Sequence, residues 1–259
     1  MLRLYTKYLD MNLRAQLEHR QSFVMMLLSQ ALLAFSSFLV LQILMQRFGS
    51  VGGFGLDEVM LSFAVTWMSF SLAETFVRGF DRFSVLIANG GFDRVLLRPR
   101  SAILQVLGST VDFSRLGRLL QALIILILIA VRGPIQWDFL RLLTLSNMLV
   151  GGFCVFAGLF ILQAGVTFFT TEGLEIFNIF TDGGREFGSY PMLIYGQLML
   201  RFFTFVVPIA LFQTYPLAYL FGRSQNLGLV FLPLLAGLFL LPAYLLWRLG
   251  RRRYESTGS

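Results

Sequence analysis

Six apolar blocks of the chain are each long enough to cross a lipid bilayer. A membrane-spanning helix needs about 20 apolar residues, and a water-soluble fold of 259 residues could not bury six such blocks. Only 14% of the residues are charged, whereas 56% are hydrophobic. The pattern predicts an all-α polytopic membrane protein with six transmembrane helices, at about 22–46, 58–79, 103–131, 143–169, 197–213 and 227–247.

The positive charges of the connections indicate the orientation, because cytoplasmic connections carry an excess of arginine and lysine. With the N-terminus in the cytoplasm, four of these cations fall on the far side: Arg47, Arg132, Arg141 and Arg223. Fifteen fall on the cytoplasmic side: Arg3, Lys7, Arg14, Arg20, Arg78, Arg82, Arg94, Arg98, Arg100, Arg185, Arg201, Arg248, Arg251, Arg252 and Arg253. We therefore expect both termini to be cytoplasmic.

The two ends of the chain are expected to lie outside the bilayer. Residues 1–21 place apolar side chains on one helical face and charges elsewhere, which is typical of an interfacial helix in the headgroup layer. An ordinary polar tail is the alternative. No cleavable signal peptide is expected, because the first apolar block is longer than the apolar core of one. A six-helix transmembrane domain over 22–248 and a cytoplasmic tail over 249–259 complete the predicted organisation.

Several kinds of active site are excluded by residue types that the sequence lacks. A phosphate-binding P-loop needs a lysine after a glycine-rich turn, but the only lysine is Lys7 and no glycine precedes it. His19 is the only histidine and Cys154 the only cysteine, which argues against a metal site. The arginines lie between apolar blocks, so no solvated basic face for nucleic acid is expected. We expect no catalytic residue and no cofactor on this chain.

The connection 80–100 is a long one predicted on the cytoplasmic side. The turn signal Asn89-Gly90-Gly91 separates two short amphipathic pieces, and Pro99 ends the second. A short helix with Phe92 and Leu97 beside Asp93 and Arg94 is suited to dock into a groove of a cytoplasmic partner. The alternative, which spacing alone leaves open, is a loop whose arginines only hold the topology.

Ionisable residues inside apolar blocks are costly in a membrane and often functional. Glu74 lies near the inner end of the second block, and Asp112, Arg115 and Arg118 lie near the inner end of the third. Both positions are close to the headgroups. We therefore favour the interpretation that Glu74 pairs with one of these arginines over a role in transport.

Glycines mark a helix contact in the fourth block. Gly151, Gly158 and Gly165 follow a seven-residue spacing, and small residues allow helix backbones to approach closely in lipid. We interpret this stripe as a packing seam in preference to a substrate path. The following connection, 171–197, is expected on the cytoplasmic side, and the stretch 213–225 is expected to dip back into the outer leaflet.

Two stretches resemble a known family. Residues 184–195, reading GREFGSYPMLIY, are similar to the REFxxYPxxIY signature of a subfamily of ABC-2 type permeases. Residues 91–99, reading GFDRVLLRP, are similar to the GxLDRLLLRP stretch of that family after its second span, with Phe92 and Val95 in place of leucines. The resemblance extends over nearly the whole chain in span order.

The resemblance implies a permease subunit that pairs with a second permease, identical or homologous, and with a cytoplasmic ABC ATPase dimer that holds ATP and magnesium. It also implies a bacterial inner-membrane exporter of an antibiotic, drug or other amphipathic or lipid-like compound, with a coupling helix after the second span. On this basis we assign coupling to Phe92, Asp93, Arg94 and Leu97. We assign the lining of the pathway to Phe70, Glu74, Phe205 and Gln213.

Two other functions compete with this hypothesis. A secondary transporter or channel without ATP coupling would need charges near the middle of the membrane and often has inverted repeats, and no internal repeat is evident. A lipid-modifying membrane enzyme would need a catalytic constellation, which the sequence lacks.

Overall fold

The computed structural model describes residues 2–170 and 175–254, apart from the side chain of Leu2, and every regular element in these ranges is helical. In chain order the helices are α1 (Leu2–Glu18), α2 (Arg20–Phe48), α3 (Leu56–Phe76), α4 (Arg78–Asp81), α5 (Phe83–Ala88), α6 (Gly91–Leu96), α7 (Ala102–Ser109), α8 (Leu116–Arg132), α9 (Phe139–Thr167), α10 (Ile176–Gly188), α11 (Gln197–Phe205), α12 (Ile209–Phe212), α13 (Thr214–Leu220), α14 (Gly228–Ala236) and α15 (Leu240–Arg252). Short 3-10 turns occur at Phe113–Arg115, Met192–Tyr195 and Gly237–Phe239.

Five segments of the described chain are long and apolar enough to cross a membrane: Arg20–Phe48, Leu56–Phe76, Phe113–Arg132, Phe139–Thr167 and Gly228–Arg252. Helix α11 and the pair α12–α13, which meet at an angle of 86°, are together long and apolar enough to form a sixth crossing or a re-entrant segment. The prediction of an all-α polytopic membrane protein is confirmed. The third apolar block is divided, because α7 forms a separate helix before the span that starts at Phe113.

Helix α3 lies at the centre of the bundle. In the most apolar 18-residue segment of α3, 83% of the residues are buried, whereas in that of α2 only 11% are. Helices α8 and α9 pack on α3, and the ring of Phe70 meets that of Phe156 edge-on at 5.1 Å. Helix α2 instead exposes most of its apolar surface, which is a surface for lipid or for another membrane protein.

Both described ends of the chain lie at one end of the bundle, which we call the inner end and which also carries α4–α7 and residues 168–170. The Tyr5 hydroxyl donates a hydrogen bond of 3.0 Å to the carbonyl of Phe76 at the end of α3. The Tyr254 hydroxyl donates one of 3.0 Å to Asp93 on α6. The N-terminal helix and the C-terminal residues therefore share a side, as an even number of crossings requires.

The opposite end, which we call the outer end, carries the loops 49–55, 133–138 and 221–227. Helix α3 begins there at a cap, because Glu58 Oε2 accepts a hydrogen bond of 2.8 Å from the backbone N–H of Gly55. Arg223 pairs with the same carboxylate at 2.6 Å and donates to the carbonyl of Gly53. One arginine thus ties the loop after α13 to the loop before α3.

Helix α10 rises from the inner end into the bundle. The Thr66 hydroxyl in the middle of α3 donates a hydrogen bond of 2.7 Å to the carbonyl of Gly188, and Trp67 Nε1 donates to the hydroxyl of Ser189 at 3.0 Å. The chain then reaches the outer end, where a Cβ built on Gly52 would lie 2.7 Å from the side chain of Ile194. The segment from α10 to Ile194 therefore crosses the bundle.

Helix α11 turns back along α10, and α12 and α13 return to the outer end. The rings of Phe187 and Phe203 lie 5.6 Å apart along this antiparallel pair. The helix stops before Pro208, which lacks the N–H needed to continue it, and α12 packs by Ile209 against Gly184. The chain thus makes one net crossing in three pieces. The segment from α10 to Ile194 runs from the inner end to the outer end, α11 returns towards the inner end, and α12 and α13 run to the outer end again.

This path corrects the prediction for the fifth span. A single helix over 197–213 is wrong, because the helix breaks after Phe205. The connection 171–197 does not stay on the side of the termini; its residues 171–174 lie outside the described part of the chain. The stretch 213–225 contains α13 and ends at the outer end, and its expected place in the outer leaflet stays a prediction. The sequence pattern predicted a connection here because α10 is polar on one face and therefore does not resemble a membrane-spanning helix.

The glycine stripe of α9 faces the last span. A Cβ at Gly151 would clash with the carbonyl oxygen of Pro233, one at Gly158 would lie 2.7 Å from the ring of Phe239, and one at Gly165 would lie 3.1 Å from Leu246. A side-chain hydrogen bond closes the seam, since Asn147 donates to the carbonyl of Val230 at 2.8 Å. The three glycines therefore lie where α9 and α14–α15 approach most closely.

We expect Gly151→Ala to destabilise the protein, although alanine favours helices, because the new methyl group meets a backbone carbonyl that cannot move alone. The apparent melting temperature in detergent should fall by roughly 2–10 °C. Gly183→Ala is the matched control, since its nearest new neighbour would be 3.9 Å away, and it should be neutral or stabilising. Equal melting temperatures for the two variants would contradict the seam.

Candidate functional site

Six aromatic side chains form a cluster at the inner end, which we call the inner aromatic cluster: Phe80, Phe83, Phe92, Phe168, Trp247 and Tyr254. Trp247 lies at its centre, with ring centroids of Phe83 at 4.7 Å and of Phe80 and Phe168 at 5.0 Å. The rings meet edge to face, the favoured geometry for aromatic pairs. The cluster joins α4, α5 and α6 to the end of α9, to α15 and to the C-terminal residues.

Helix α6 is held in this cluster by one ring. Phe92 is fully buried, and its ring lies 5.0 Å from Phe83, 5.1 Å from Tyr254 and 5.4 Å from Phe168. The helix begins after Gly90, whose φ of 62° is the left-handed conformation that glycine adopts without strain. The two short helices thus lie on either side of the turn that the sequence indicates.

The four residues assigned to coupling divide into two pairs. Phe92 and Asp93 face the bundle, since Phe92 is buried and Asp93 accepts the hydrogen bond of Tyr254. Arg94 is exposed, and Leu97 is 85% exposed. Phe92 is therefore enclosed within the bundle and anchors the helix, whereas Arg94 and Leu97 are accessible; the role of these residues in coupling stays a prediction.

Gln105 is a residue that sequence reasoning missed at this site. Its side chain is buried in α7, and its Nε2 donates hydrogen bonds to the carbonyls of Val95 at 3.1 Å and Arg100 at 3.2 Å. These carbonyls lie at and beyond the end of α6, where helical partners run out. Gln105 thus fixes the orientation of α6. A glutamine within an apolar block was the only signal of this role.

A buried charge network lies beside the cluster, between α3, α4 and α8. The Glu74 carboxylate, 6% exposed, contacts Arg78 at 2.6 Å, Arg118 at 2.9 Å and Arg115 at 3.3 Å. Asp81 pairs with Arg78 and Asp112 with Arg115, each at 3.1 Å. Three carboxylates therefore face three guanidinium groups. Glu74 forms ion pairs with arginines, as predicted, but it contacts three of them and not one.

The two aspartates outside the spans have opposite pKa shifts. Burial raises the pKa of Asp81, and the charge of Arg78 offsets this only in part. Burial also raises the pKa of Asp112, but hydrogen bonds from Ser114 together with the charge of Arg115 outweigh burial and lower it below its ordinary value. Asp112 therefore stays ionised at neutral pH and holds Arg115 at the start of the third span.

Helix α1 covers the inner end next to this network. Asn12 donates to the carbonyl of Gly108 at 3.2 Å and accepts from the N–H of Val111 at 3.3 Å. Gln16 accepts from the N–H of Phe113 at 3.0 Å. Residues 2–18 thus form a docked helix and not a free polar tail, while their place in the headgroup layer stays a prediction.

The four residues assigned to the pathway do not line one surface. Phe70 packs against Phe156 inside the bundle, Glu74 lies in the charge network, and Gln213 is fully buried beside Thr214. Phe205 is 82% exposed on the outside of the chain. The sequence could not predict this distribution, because a helix face that is buried within one chain and a face that contacts a partner subunit show the same apolar periodicity.

Arg185 was interpreted as a charge of a cytoplasmic connection, but it lies against the middle of α3. Its guanidinium carbon is 4.7 Å from the ring centroid of Trp67 and 4.9 Å from that of Phe70, a cation–π geometry. It also pairs with Asp182 at 3.1 Å and Glu186 at 2.7 Å. Residues 184–188 therefore lie at the end of a helix that packs on α3, not in a loop.

We expect Glu74→Gln to lower stability by about 3–5 kcal/mol, because it leaves three buried arginines without their shared carboxylate. Thermal unfolding of the purified protein measures the effect. Asp10→Asn is the control, since its pair with Arg14 is exposed, and it should cost less than about 1 kcal/mol. A second variant, Glu74→Gln with Arg118→Gln, should recover part of the loss. Glu74→Gln as stable as Asp10→Asn would contradict a charge network that stabilises the fold.

A family model described as ABC-2 family transporter protein matches residues 31–258. No curated protein and no solved structure matches the chain. The matched range begins within α2 and includes all of α3 to α15, with the inner aromatic cluster up to Tyr254. The chain belongs to the ABC-2 transporter family and is a multi-pass permease subunit of an ABC transporter.

Proposed function

We propose that this permease exports an amphipathic small molecule, driven by a cytoplasmic ATPase dimer that docks on α6. The observation that carries the proposal is the position of Phe92, which is buried among rings from α9, α15 and the C-terminal residues. A force applied to α6 therefore acts on two membrane spans at once.

The geometry supports a path for that force. Arg94 and Leu97 face outward at the inner end, where the partner would push. Phe92 contacts Phe168 at the end of α9 and Trp247 on α15. Because the glycine seam joins α9 to α14–α15 along their length, these helices would tilt together as one body. A change of access then requires only that nucleotide binding favour one tilt over the other.

The energy source is proposed to lie on the partner for a chemical reason. Cradling and hydrolysing ATP needs a phosphate-binding loop with its lysine, and magnesium beside it. The chain offers only Lys7, in α1, without a preceding glycine. ATP and magnesium would therefore bind to the ATPase subunits, and this chain would contribute the docking helix and the membrane route.

The sidedness of the proposal follows from two observations. The described ends of the chain share the inner end of the bundle, and most arginines of the connections lie at that end. Cytoplasmic connections are the ones enriched in arginine and lysine. The inner end therefore faces the cytoplasm of the bacterial cell, which is where an ATPase would find α6.

A secondary transporter remains a second candidate because of one observation. The broken crossing α10–α13 has the discontinuous helices that secondary transporters place around their sites. That function would leave α6 without a partner. Transport into liposomes by this chain alone, driven by a proton gradient without ATP, would establish it.

Purification of the tagged chain from its native membrane tests the proposal, with the co-purifying subunits identified and ATP hydrolysis measured. We expect an ABC ATPase in the eluate. Arg94→Ala with Leu97→Ala should weaken its association by about tenfold or more, because both side chains belong to the docking surface. Leu193→Ala, exposed at the outer end, is the control and should retain the ATPase.

Phe92→Leu separates docking from transmission. It should leave the ATPase bound but lower the coupling between ATP hydrolysis and transport, since the smaller side chain loses its edge-to-face contacts in the inner aromatic cluster. Full coupling in Phe92→Leu would contradict the proposed path of the force. The absence of any ATPase from the eluate would contradict the proposal as a whole.

A further inference from the structure

Arg82 lies between two neighbouring cavities at the inner end of the bundle. The first has a volume of about 340 Å³ and lies between α1, the start of α2 and the loop after α7. The second, of about 420 Å³, lies between α5, α6 and the end of α7. Because Arg82 and Thr110 line both cavities, we treat the two as one site and call it the inner groove.

The second cavity is the cationic part of the inner groove. Arg82 and Arg94 line it, whereas no carboxylate among the described residues does. Both arginines are exposed, and their guanidinium groups form no ion pair and no hydrogen bond with residues 2–170 or 175–254. Asp93, next to Arg94 in the chain, faces the bundle, where it accepts the hydrogen bond of Tyr254. Two guanidinium groups are therefore available to an anion from outside the chain.

The carboxylates nearest to Arg82 are held by other arginines. Asp112 lines the first cavity, but it pairs with Arg115 at 3.1 Å. Asp81 pairs with Arg78 at 3.1 Å, and the charge of Arg82 acts on Asp81 more weakly than that of Arg78 does. Neither carboxylate forms an ion pair with Arg82, so its charge is not neutralised by a direct contact.

The first cavity is apolar towards the membrane. Phe23 and Met26, one turn apart on α2, line it. The span begins at Arg20, so that at 1.5 Å per residue Met26 lies about 9 Å along it. Leu33 is seven residues further on the same helical face and is 56% exposed. An apolar surface therefore leads from the inner groove towards the hydrocarbon core.

We propose that the inner groove binds one anionic phospholipid from the leaflet at the inner end. The phosphate group contacts Arg82 and Arg94, because guanidinium groups bind phosphate oxygens by charge-assisted hydrogen bonds. One acyl chain lies on Phe23 and Met26 and continues along α2. Basic pockets of this kind, between helices at the membrane boundary, suit lipid headgroups. The lipid would join α1 and α2 to α5 and α6.

The combination of charge and apolar surface favours a lipid over other anions. A soluble phosphate ester or an acidic side chain of a partner protein would use the two arginines and leave Phe23 and Met26 without a contact. A zwitterionic lipid would bring its own cation close to both guanidinium groups, which disfavours it. The inference goes beyond the proposed transport function and needs no ATPase. Arg94 also belongs to the proposed docking surface, so Arg82 is the residue to test.

Native mass spectrometry of the purified, delipidated permease tests the inference, with phosphatidylglycerol or phosphatidylcholine added in detergent. We expect one phosphatidylglycerol to bind about tenfold more tightly than phosphatidylcholine. Arg82→Gln should weaken phosphatidylglycerol binding by about fivefold. Arg132→Gln is the matched control, since it removes the same charge from an exposed residue at the outer end, and it should bind as the unaltered chain does. Equal affinities of the two variants would overturn the proposal.

The apolar part of the site needs a separate measurement. Phe23→Ala should also weaken phosphatidylglycerol binding, although it changes no charge, because part of the surface for the acyl chain is lost. Glycerophosphoglycerol, the headgroup without acyl chains, should not displace the lipid at equal concentration. Displacement by this headgroup, together with unchanged binding to Phe23→Ala, would show a site for a soluble phosphate ester and overturn the assignment to lipid.

The same variant separates this inference from the proposed function. If Arg82→Gln releases a co-purifying ATPase but binds phosphatidylglycerol as the unaltered chain does, the groove belongs to the partner protein and this inference alone is refuted. If Arg82→Gln loses the lipid while no ATPase is found with the unaltered chain, the lipid site stands and the proposed function is refuted.

Discussion

Polar groups at the depth of the hydrocarbon core must be covered by protein or by water, and this constraint decides where the unusual parts of the fold lie. Glu74 is surrounded by three arginines within one chain, so the charges at the inner end are neutralised internally. On α10, Asp182 and Glu186 share one arginine, Arg185, and each carboxylate stays more than half exposed. The charges at the inner end are therefore neutralised within the chain, whereas the carboxylates of α10 remain accessible on its surface.

The second organising feature is the way α6 is attached. Phe92 is fixed among rings on the ends of α9 and α15, and the glycine seam continues the contact of these two elements through the membrane. The rings meet edge to face, the favoured geometry for aromatic pairs, so Phe92 ties α6 to the ends of both spans. Arg94 and Leu97 are exposed on the same helix, which makes them the side chains through which we propose that a partner contacts it.

The features that could be predicted from the sequence are those encoded by the local pattern of residues. Hydropathy located five continuous spans, and the seven-residue glycine spacing located the seam of α9. The turn at Asn89-Gly90 located the boundary between α5 and α6. Tertiary contacts decided the rest. Arg185 resembles a residue of a cytoplasmic loop because nothing local shows that Trp67 and Phe70 lie beside it. The burial of Phe92 likewise depends on Trp247, far along the chain.

The central claim is that the chain crosses the membrane once between α9 and α14, in three pieces, with residue 193 on the side opposite both termini. Labelling of intact cells with a membrane-impermeant thiol reagent tests it most directly in a Cys154→Ala background. Leu193→Cys, 44% exposed, should be labelled in intact cells, and Leu97→Cys only after permeabilisation. Labelling of Leu193→Cys only after permeabilisation, or of Leu97→Cys in intact cells, would contradict the account.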